Sequence, residues 1–573
     1  MNPNLATALT DFVPYLAPEM ILGAVACVLF IGGTVRANRH LWGGVALASL
    51  VVAGLVLIWN PLPHYESFNV ADTARFASPV VLDRLALLLR AVSILGGIIL
   101  VLFCWDATPE NRAADYHACL LLMVVGMGLS GAANDLITLF LALELTSIPT
   151  YLILYLGKSR EPQVGLDAPA QEAAMKYFLL SVFSSALTLF GFSYLYGLAG
   201  TTNLPGLAES FRQASRATSL EEVMPSPLLG MSMVGLVMVV AGLGFRMTAF
   251  PFHFYAPDVY QGTSTANAAV LAFVPKVAGF AALVRVLGFV MPVLSRQVFT
   301  AKLDYPILGD QLPVLLWIMA AVTMTVGNVL GLLQDNLRRL LAYSSVAHAG
   351  YMLIGLAVAP RLLTATDPMV DGVDAVFFYL ASYGAMTLGA FAVLEYLSLS
   401  GQSAETMDDL AGLSRTRPGM ALLMVLFLFS LIGIPLTAGF MGKFLIFAGA
   451  LEVPPNPAES GVWLTQRVLF VALAVLGAIN AAIGGWYYLR IAAVMYLREP
   501  SPSTVVAPRP RRSWPVLAAV WLCALLTLGI GVYPAPLKQA VQAAVPRLTE
   551  TTQGLAHQPV HPARNDLADA GDR

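Results

Sequence analysis

The chain has 573 residues, of which 58% are hydrophobic and 12% carry a charge, and its formal net charge is −2. Soluble domains carry roughly 25% charged residues, so the composition excludes a water-soluble protein of this size and indicates one whose main solvent is lipid. The near-neutral net charge also argues against nucleic acid as a partner. The four cysteines are isolated in apolar runs, and the sequence has no CxxC or Cys/His cluster of the kind that holds zinc, iron–sulfur clusters or haem. We therefore expect no cofactor in this chain itself.

Fourteen apolar runs are long enough to cross a bilayer, which requires about 20 mostly apolar residues per helix. They lie at 14–35, 41–59, 79–104, 117–133, 135–157, 174–198, 228–250, 266–291, 311–333, 340–358, 374–398, 419–449, 464–488 and 514–533. The stretch 117–157 is divided in two because Gly131-Ala-Ala-Asn-Asp135 is typical of a turn. The pattern predicts an all-α polytopic membrane protein of about 14 spans, numbered here in chain order.

The basic residues of the short connections fall on one side of this topology. The first connection holds Arg36 and Arg39, the ninth holds Arg338 and Arg339, and the fifth, eleventh and thirteenth are also basic. The even-numbered connections are poorer in Lys and Arg. By the positive-inside rule the odd connections are cytoplasmic. Both termini are then periplasmic, in the inner membrane of a bacterium.

Four ionisable residues lie inside the predicted spans. Glu144 is near the middle of span 5, Lys276 is about 15 Å into span 8, Lys443 lies in span 12, and Arg246 lies in span 7. A charge at the bilayer centre costs about 2.5–3.5 kcal/mol even on a lenient scale. The alternatives are a proton or ion path and buried ion pairs that fix helix packing; for Glu144 and Lys276 we favour a path.

Two other cations in apolar runs have a simpler interpretation. Lys176 follows Glu172 by four residues at a helix start, and Arg285 lies near a helix end. Long basic side chains at such positions commonly extend to the membrane interface. We expect both to do so.

Two spans carry helix-breaking residues. Pro251 and Pro257 interrupt span 7, and Pro435 interrupts span 12 within LIGIPLTAGFMG. The breaks are five spans apart, which predicts two inverted five-helix repeats, spans 4–8 and 9–13, and paired interruptions of this kind indicate a transport pathway. The predicted regions are a three-helix region at 1–110, repeats at 111–291 and 311–498, a loop with the last helix at 499–533, and a polar tail at 534–573.

His348 lies about eight residues into span 10 and follows Ser344 and Ser345 by one turn. Histidine titrates near neutral pH and can relay a proton. A histidine that only satisfies its hydrogen bonds in the core is an equally good interpretation of this position.

Several motifs together resemble one family. The stretch GFRMTAFPFHFYAPDVYQG at Gly244–Gly262 is similar to the span-7 motif of the antiporter-like membrane subunits of respiratory complex I, the proton-pumping NADH-quinone oxidoreductase. It is most similar to the subunit N family. The same holds for QDNLRRLLAYSSVAHAGYMLIGL, FYLASYGAMTLGAFAV, LIGIPLTAGFMGKF and NAAIGGWYYLRIA, so that the resemblance covers roughly 110–500.

The resemblance implies a role for each buried ionisable residue. Glu144 matches the family's glutamate of span 5, Lys276 its central lysine and Lys443 its span-12 lysine, all in proton translocation. The family's span-7 lysine, the charge partner of the glutamate, falls on Arg246 here. Arginine stays protonated in proteins, so this departure makes a proton-carrying role for Arg246 doubtful.

The resemblance also implies the surroundings of the chain. NADH, FMN, iron–sulfur clusters and quinone belong to the rest of the complex, and the partners are its other membrane and peripheral subunits together with the lipid bilayer. Two other functions stay open at this point. One is a subunit of an Mrp-type cation/proton antiporter, and the other is a membrane scaffold that no longer pumps.

Overall fold

A computed structural model describes the chain in segments with gaps between them. The described residues are 16–59, 78–81, 83–156, 168–211, 227–294, 308–362, 371–400, 404–455, 465–500 and 513–544. The predicted polar tail beyond 544 lies outside the described residues.

The fourteen predicted spans correspond to helices of the structure. Spans 1 to 6 are Ala17–Val35, Arg39–Trp59, Arg84–Phe103, Ala113–Ala132, Leu136–Leu156 and Ala168–Ala199, and span 7 comprises Pro227–Met247 and Ala256–Gly262. Spans 8 to 11 are Thr265–Leu294, Leu308–Leu332, Leu337–Leu362 and Gly372–Leu399; span 12 comprises Pro418–Ile432 and Ala438–Leu451; spans 13 and 14 are Gln466–Leu497 and Trp514–Val532. Within the described segments, twelve helices are long and apolar enough to cross a membrane.

Both predicted helix breaks are present. In span 7 the first helix ends at Met247 and the second begins at Ala256. In span 12 the first helix ends at Ile432, where Gly433 adopts a left-handed backbone conformation with φ of 93°, and the second begins at Ala438. Glycine adopts this conformation without the steric cost that a side chain brings. The seventh and twelfth spans are therefore the two that no single long helix forms.

The centre of the bundle is formed by spans 8, 10 and 11. In spans 8 and 10 the most apolar stretch of 18 residues is completely buried, and in span 11 the corresponding stretch is 94% buried. Peripheral spans leave large apolar side chains exposed, among them Ile31, Leu141 and Phe183. A polypeptide that is apolar both inside and outside is what a lipid environment requires.

Connections on the same side of the bundle pair with each other, as expected when successive spans alternate in direction. Asp135, between spans 4 and 5, pairs its backbone with Asn203, which follows span 6. On the other face, Asn336 after span 9 pairs with Thr406 after span 11. The predicted turn between spans 4 and 5 is confirmed, because one helix ends at Ala132 and the next begins at Leu136.

Lys176 and Arg285 have different surroundings in the structure. Lys176 is partly exposed and lies 2.7 Å from Glu172. Arg285 is only 3% exposed, because both of its terminal nitrogens lie 2.6 Å from the carboxylate of Asp83, the N-cap residue of span 3, and its Nε donates to the carbonyl of Gly131. The partner of Arg285 in the structure is therefore a carboxylate that lies 202 positions away in the sequence.

A second buried ion pair joins span 1 to span 3. Glu19 of span 1 and Arg90 of span 3 are 2.8 Å apart, with 8% and 4% of their side chains exposed. The closely packed Gly128 of span 4 lies beside the carboxylate, where an added Cβ would come within 3.1 Å of Glu19 Oε1. The pair therefore links two N-terminal helices where both pack against span 4.

We expect Glu19→Gln to destabilise the chain, since removing one partner of a buried pair costs about 3–5 kcal/mol. The apparent melting temperature in detergent measures the effect. Asp335→Asn is the matched control, because Asp335 pairs with Arg490 at 2.8 Å but both side chains are largely exposed, and such pairs contribute about 0–1 kcal/mol. Equal shifts for the two variants would contradict the assignment.

Candidate functional site

Glu144 and Arg246, which the sequence places 102 positions apart, form a direct ion pair. Arg246 Nη2 lies 2.9 Å from Glu144 Oε1. Arg246 is in the last turn of the first helix of span 7 and is 3% exposed. The unpaired carbonyl groups at a helix C-terminus favour a cation there. The break in span 7 thus explains why a charged side chain is placed beside the mid-span glutamate.

The guanidinium group is held by more than the carboxylate. Its Nη1 donates to the carbonyl of Leu143 at 3.0 Å and to the hydroxyl of Ser147, and its Nη2 also donates to the hydroxyl of Ser185 at 3.2 Å. Ser185 in turn donates to Glu144 Oε1 at 2.5 Å. Charge-assisted hydrogen bonds of this kind are among the stronger ones in proteins. Spans 5 and 6 therefore supply acceptors for both terminal nitrogens of Arg246, while its Nε has no hydrogen-bond partner among the described residues.

Lys276 is fully buried in the middle of span 8. Its ammonium donates to the hydroxyl of Ser345 and lies 5.4 Å from the centre of the Tyr383 ring. Ser345 and Tyr383 are themselves hydrogen-bonded at 2.7 Å. Within the described segments no carboxylate forms an ion pair with this lysine, so that an aromatic face and a hydroxyl are its surroundings.

Gly279 allows span 8 to pack closely against the end of the first helix of span 7. It lies one turn after Lys276 on span 8, and an added Cβ would be 2.9 Å from Met247 Cγ and 3.3 Å from Arg246 Cβ. A larger residue would push span 8 away from the end of the span-7 helix. The absence of a side chain at Gly279 therefore allows the helix that carries Lys276 to pack closely against the helix end that carries Arg246.

His348 lies further along the same row. Its Nδ1 is 2.5 Å from the Tyr379 hydroxyl and its Nε2 is 3.3 Å from the Tyr488 hydroxyl. Tyr488 also bonds to Ser344. Ser345, His348 and Tyr351 follow each other at three-residue spacing on span 10, and so they share one face of that helix.

Lys443 ends the row at the second helix break. Its ammonium donates to the carbonyls of Leu431 and Ile432 at 2.8 and 2.9 Å, which are the last residues of the first helix of span 12. It also lies 4.9 Å from the centre of the Tyr351 ring. A helix end whose carbonyls lack intrahelical partners is thereby satisfied by the side chain of the following helix.

All five residues singled out in the sequence lie in this row, in the order Glu144, Arg246, Lys276, His348, Lys443. The sequence pattern does not predict the hydroxyl groups that hydrogen-bond to these residues or to their partners, which are Ser147, Ser185, Ser345, Tyr379, Tyr383 and Tyr488. Ser344 and Ser345 were noted only as neighbours of His348. The sequence feature that points to them is the presence of serine and tyrosine residues within otherwise apolar spans.

Known proteins with similar sequences point to one family. Residues 133–458, more than half of the chain, match the family described as NADH:quinone oxidoreductase/Mrp antiporter, TM. The chain is 35% identical over 521 residues to an NADH-quinone oxidoreductase subunit N of Solibacter usitatus, with 90% of this chain and 94% of the relative covered. It is 34% identical over 536 residues to the subunit N of Trichlorobacter lovleyi, with 92% and 96% covered.

Solved structures agree in fold. A chain of respiratory complex I from Thermus thermophilus matches with a TM-score of 0.67 and 27% identity, covering 92% of this chain and all of that chain. A chain of the Mrp complex from Dietzia matches with a TM-score of 0.70 but at 18% identity, covering 94% and 98%, which is a likeness of fold alone. From its extended similarity to the curated relatives, the chain belongs to the family of NADH-quinone oxidoreductase subunit N.

Proposed function

We propose that this chain is a proton-translocating subunit in the membrane arm of an NADH-quinone oxidoreductase. Protons move along the row towards Lys443, and the energy comes from NADH oxidation and quinone reduction in other subunits, which hold FMN, the iron–sulfur clusters and quinone. The partners are the other membrane and peripheral subunits. The chain resides in a bacterial inner membrane with its odd-numbered connections in the cytoplasm and both termini in the periplasm.

The observation that carries the proposal is the environment of Lys276. A buried ammonium without a counter-charge is costly, and here a hydroxyl and a tyrosine ring are its contacts. The same contacts accommodate a neutral amine. Unlike arginine, a buried lysine exists in both forms, and a group that passes protons must do so.

The hydroxyl groups between the ionisable residues explain how protons cross the gaps. Lys276 bonds to Ser345, Ser345 bonds to Tyr383, and the Tyr383 ring lies 5.4 Å from that of His348. On the far side of His348, the Tyr351 ring is 5.7 Å from the imidazole and faces Lys443. A hydroxyl both donates and accepts, so these groups and bridging water can transfer protons stepwise towards Lys443.

Arg246 acts in this scheme as a fixed positive charge. It stays protonated, and its contacts with Leu143, Ser147 and Ser185 hold it in place. A nearby cation stabilises the charged form of a carboxylate, and its removal favours the protonated form. A movement of the span-7 helix end relative to span 5 would lengthen or break the ion pair between Arg246 and Glu144.

Identity with the curated relatives favours this function over an Mrp-type antiporter. The subunit N sequences match at about a third identity over nine-tenths of the chain, while the Mrp chain shares fold alone. Purification from the native membrane and identification of the partners by mass spectrometry tests the assignment. The expected partners are peripheral NADH-oxidising subunits; a set of antiporter subunits without them would favour the alternative.

Lys276→Ala should abolish proton pumping coupled to NADH oxidation, because the central group that accepts and releases protons is removed. Pumping is measured as acidification of inverted membrane vesicles driven by NADH with quinone as acceptor. Lys538→Ala, in the helix Ala535–Ala544 outside the row, is the control and should pump normally. Undiminished pumping by Lys276→Ala in assembled complex would refute the proposed function.

Two substitutions at Arg246 test whether pumping requires its positive charge or only a side chain of similar length. Arg246→Lys retains a cation that can reach Glu144 and should keep most of the pumping rate. Arg246→Met removes the charge and should lower the rate by roughly tenfold or more, since a neighbouring opposite charge changes the proton affinity of a carboxylate on that scale. Equal rates for the lysine and methionine variants would show that the charge of Arg246 is not used.

A further inference from the structure

A large polar cavity lies at the face formed by the odd-numbered connections. Its volume is about 770 Å³, and its lining comes from the connections that follow spans 3, 7, 9 and 11 and from helix ends of spans 5, 6, 7, 8, 10 and 11. Five carboxylates line it, namely Asp106, Glu172, Asp258, Glu395 and Glu405. The row of ionisable residues lies deeper in the bundle, so this cavity is separate from the site described above.

Glu395 differs from the carboxylates at the cavity rim. The side chains of Glu172, Asp258 and Glu405 are 42–64% exposed, and each lies within ion-pair distance of a lysine or arginine. Glu395 is only 7% exposed and lies in the last turns of span 11. It is therefore the carboxylate of this cavity that reaches furthest into the protein.

One face of span 11 connects Glu395 with Lys276. Tyr383, Thr387, Phe391 and Glu395 follow at four-residue spacing, so each is a neighbour of the next along a strip that turns by about 40° per step around the helix. The twelve positions from Glu395 to Tyr383 correspond to about 18 Å along the axis. At its inner end, Tyr383 bonds to Ser345, the hydrogen-bond partner of Lys276.

Two buried hydroxyl groups along this face make no hydrogen bond of good geometry. Tyr260 Oη and Thr387 Oγ1 belong to residues that are 1% and 3% exposed, and they lie near Ser345 and Tyr383, respectively. The Tyr260 ring packs beside Phe391, with 6.3 Å between ring centres. A buried hydroxyl without a well-aligned protein partner is a group that binds water.

We propose that Glu395 is the proton-uptake residue of this subunit and delivers protons along this face of span 11 to Lys276. Glu395 takes a proton from water in the cavity, gives it to water held by Thr387 and Tyr260, and returns to the carboxylate form. Tyr383 and Ser345 pass the proton to the neutral amine of Lys276. The proposal deepens the proposed function and rests on it.

Glu395→Gln keeps the size of the side chain and removes its ability to lose a proton. In assembled complex in inverted vesicles, we expect NADH-driven acidification to fall by roughly tenfold or more, as on removal of a positioned proton carrier. Glu395→Asp should restore much of the rate. NADH oxidation by an artificial acceptor that takes electrons before quinone should be unchanged, which shows that the complex is assembled.

Glu499→Gln is the matched control, because Glu499 is a carboxylate on the same face with 88% of its side chain exposed. It should pump like the parent. If Glu395→Gln also pumps normally while Lys276→Ala does not, the uptake proposal is wrong and the proposed function stands. If Lys276→Ala pumps normally, the proposed function itself fails.

Tyr260→Phe distinguishes a path from packing. The change removes one hydroxyl and keeps the ring, so a purely structural role predicts unchanged or greater stability and a normal rate. Uptake through this hydroxyl predicts pumping reduced several-fold at unchanged melting temperature. A variant that pumps at the parental rate would exclude Tyr260 from the path, and parental rates for both Tyr260→Phe and Thr387→Val would overturn the proposed route.

Discussion

Backbone groups at membrane depth need partners, and this requirement organises the protein. Two spans are interrupted, and each interruption frees carbonyl groups that neither lipid nor a continuing helix can satisfy. A cation lies at each break: Arg246 in the last turn before the break in span 7, and Lys443 bonded to Leu431 and Ile432 in span 12. The other buried residues of the site are arranged between these two points.

Patterns within one segment were enough to predict most of the architecture. The spans follow from apolar runs of bilayer length, and the breaks follow from Pro251, Pro257 and Pro435 because proline removes a helical hydrogen bond and disfavours a continuous helix. The residues of the row were found because charges are costly in apolar spans, which makes Glu144 and Lys276 conspicuous without any partner being known.

What could not be predicted depends on contacts between distant segments. Arg285 has the local pattern of an interfacial side chain, yet the tertiary structure places Asp83 beside it. Ser185 and Tyr383 are ordinary residues of apolar helices until folding brings them to Glu144 and Ser345. The proposed uptake route along span 11 has the same origin, since it depends on a cavity lined by connections and helix ends that are far apart in the sequence.

The contacts of Lys443 couple its protonation state to the mechanics of the polypeptide. Its ammonium supplies two donors to the carbonyls that end the first half of span 12. A neutral amine has fewer donors and no charge, so loss of the proton weakens the link between the two halves of the span. If Lys443 releases protons as proposed, each release would therefore also loosen the hinge between the two halves of span 12.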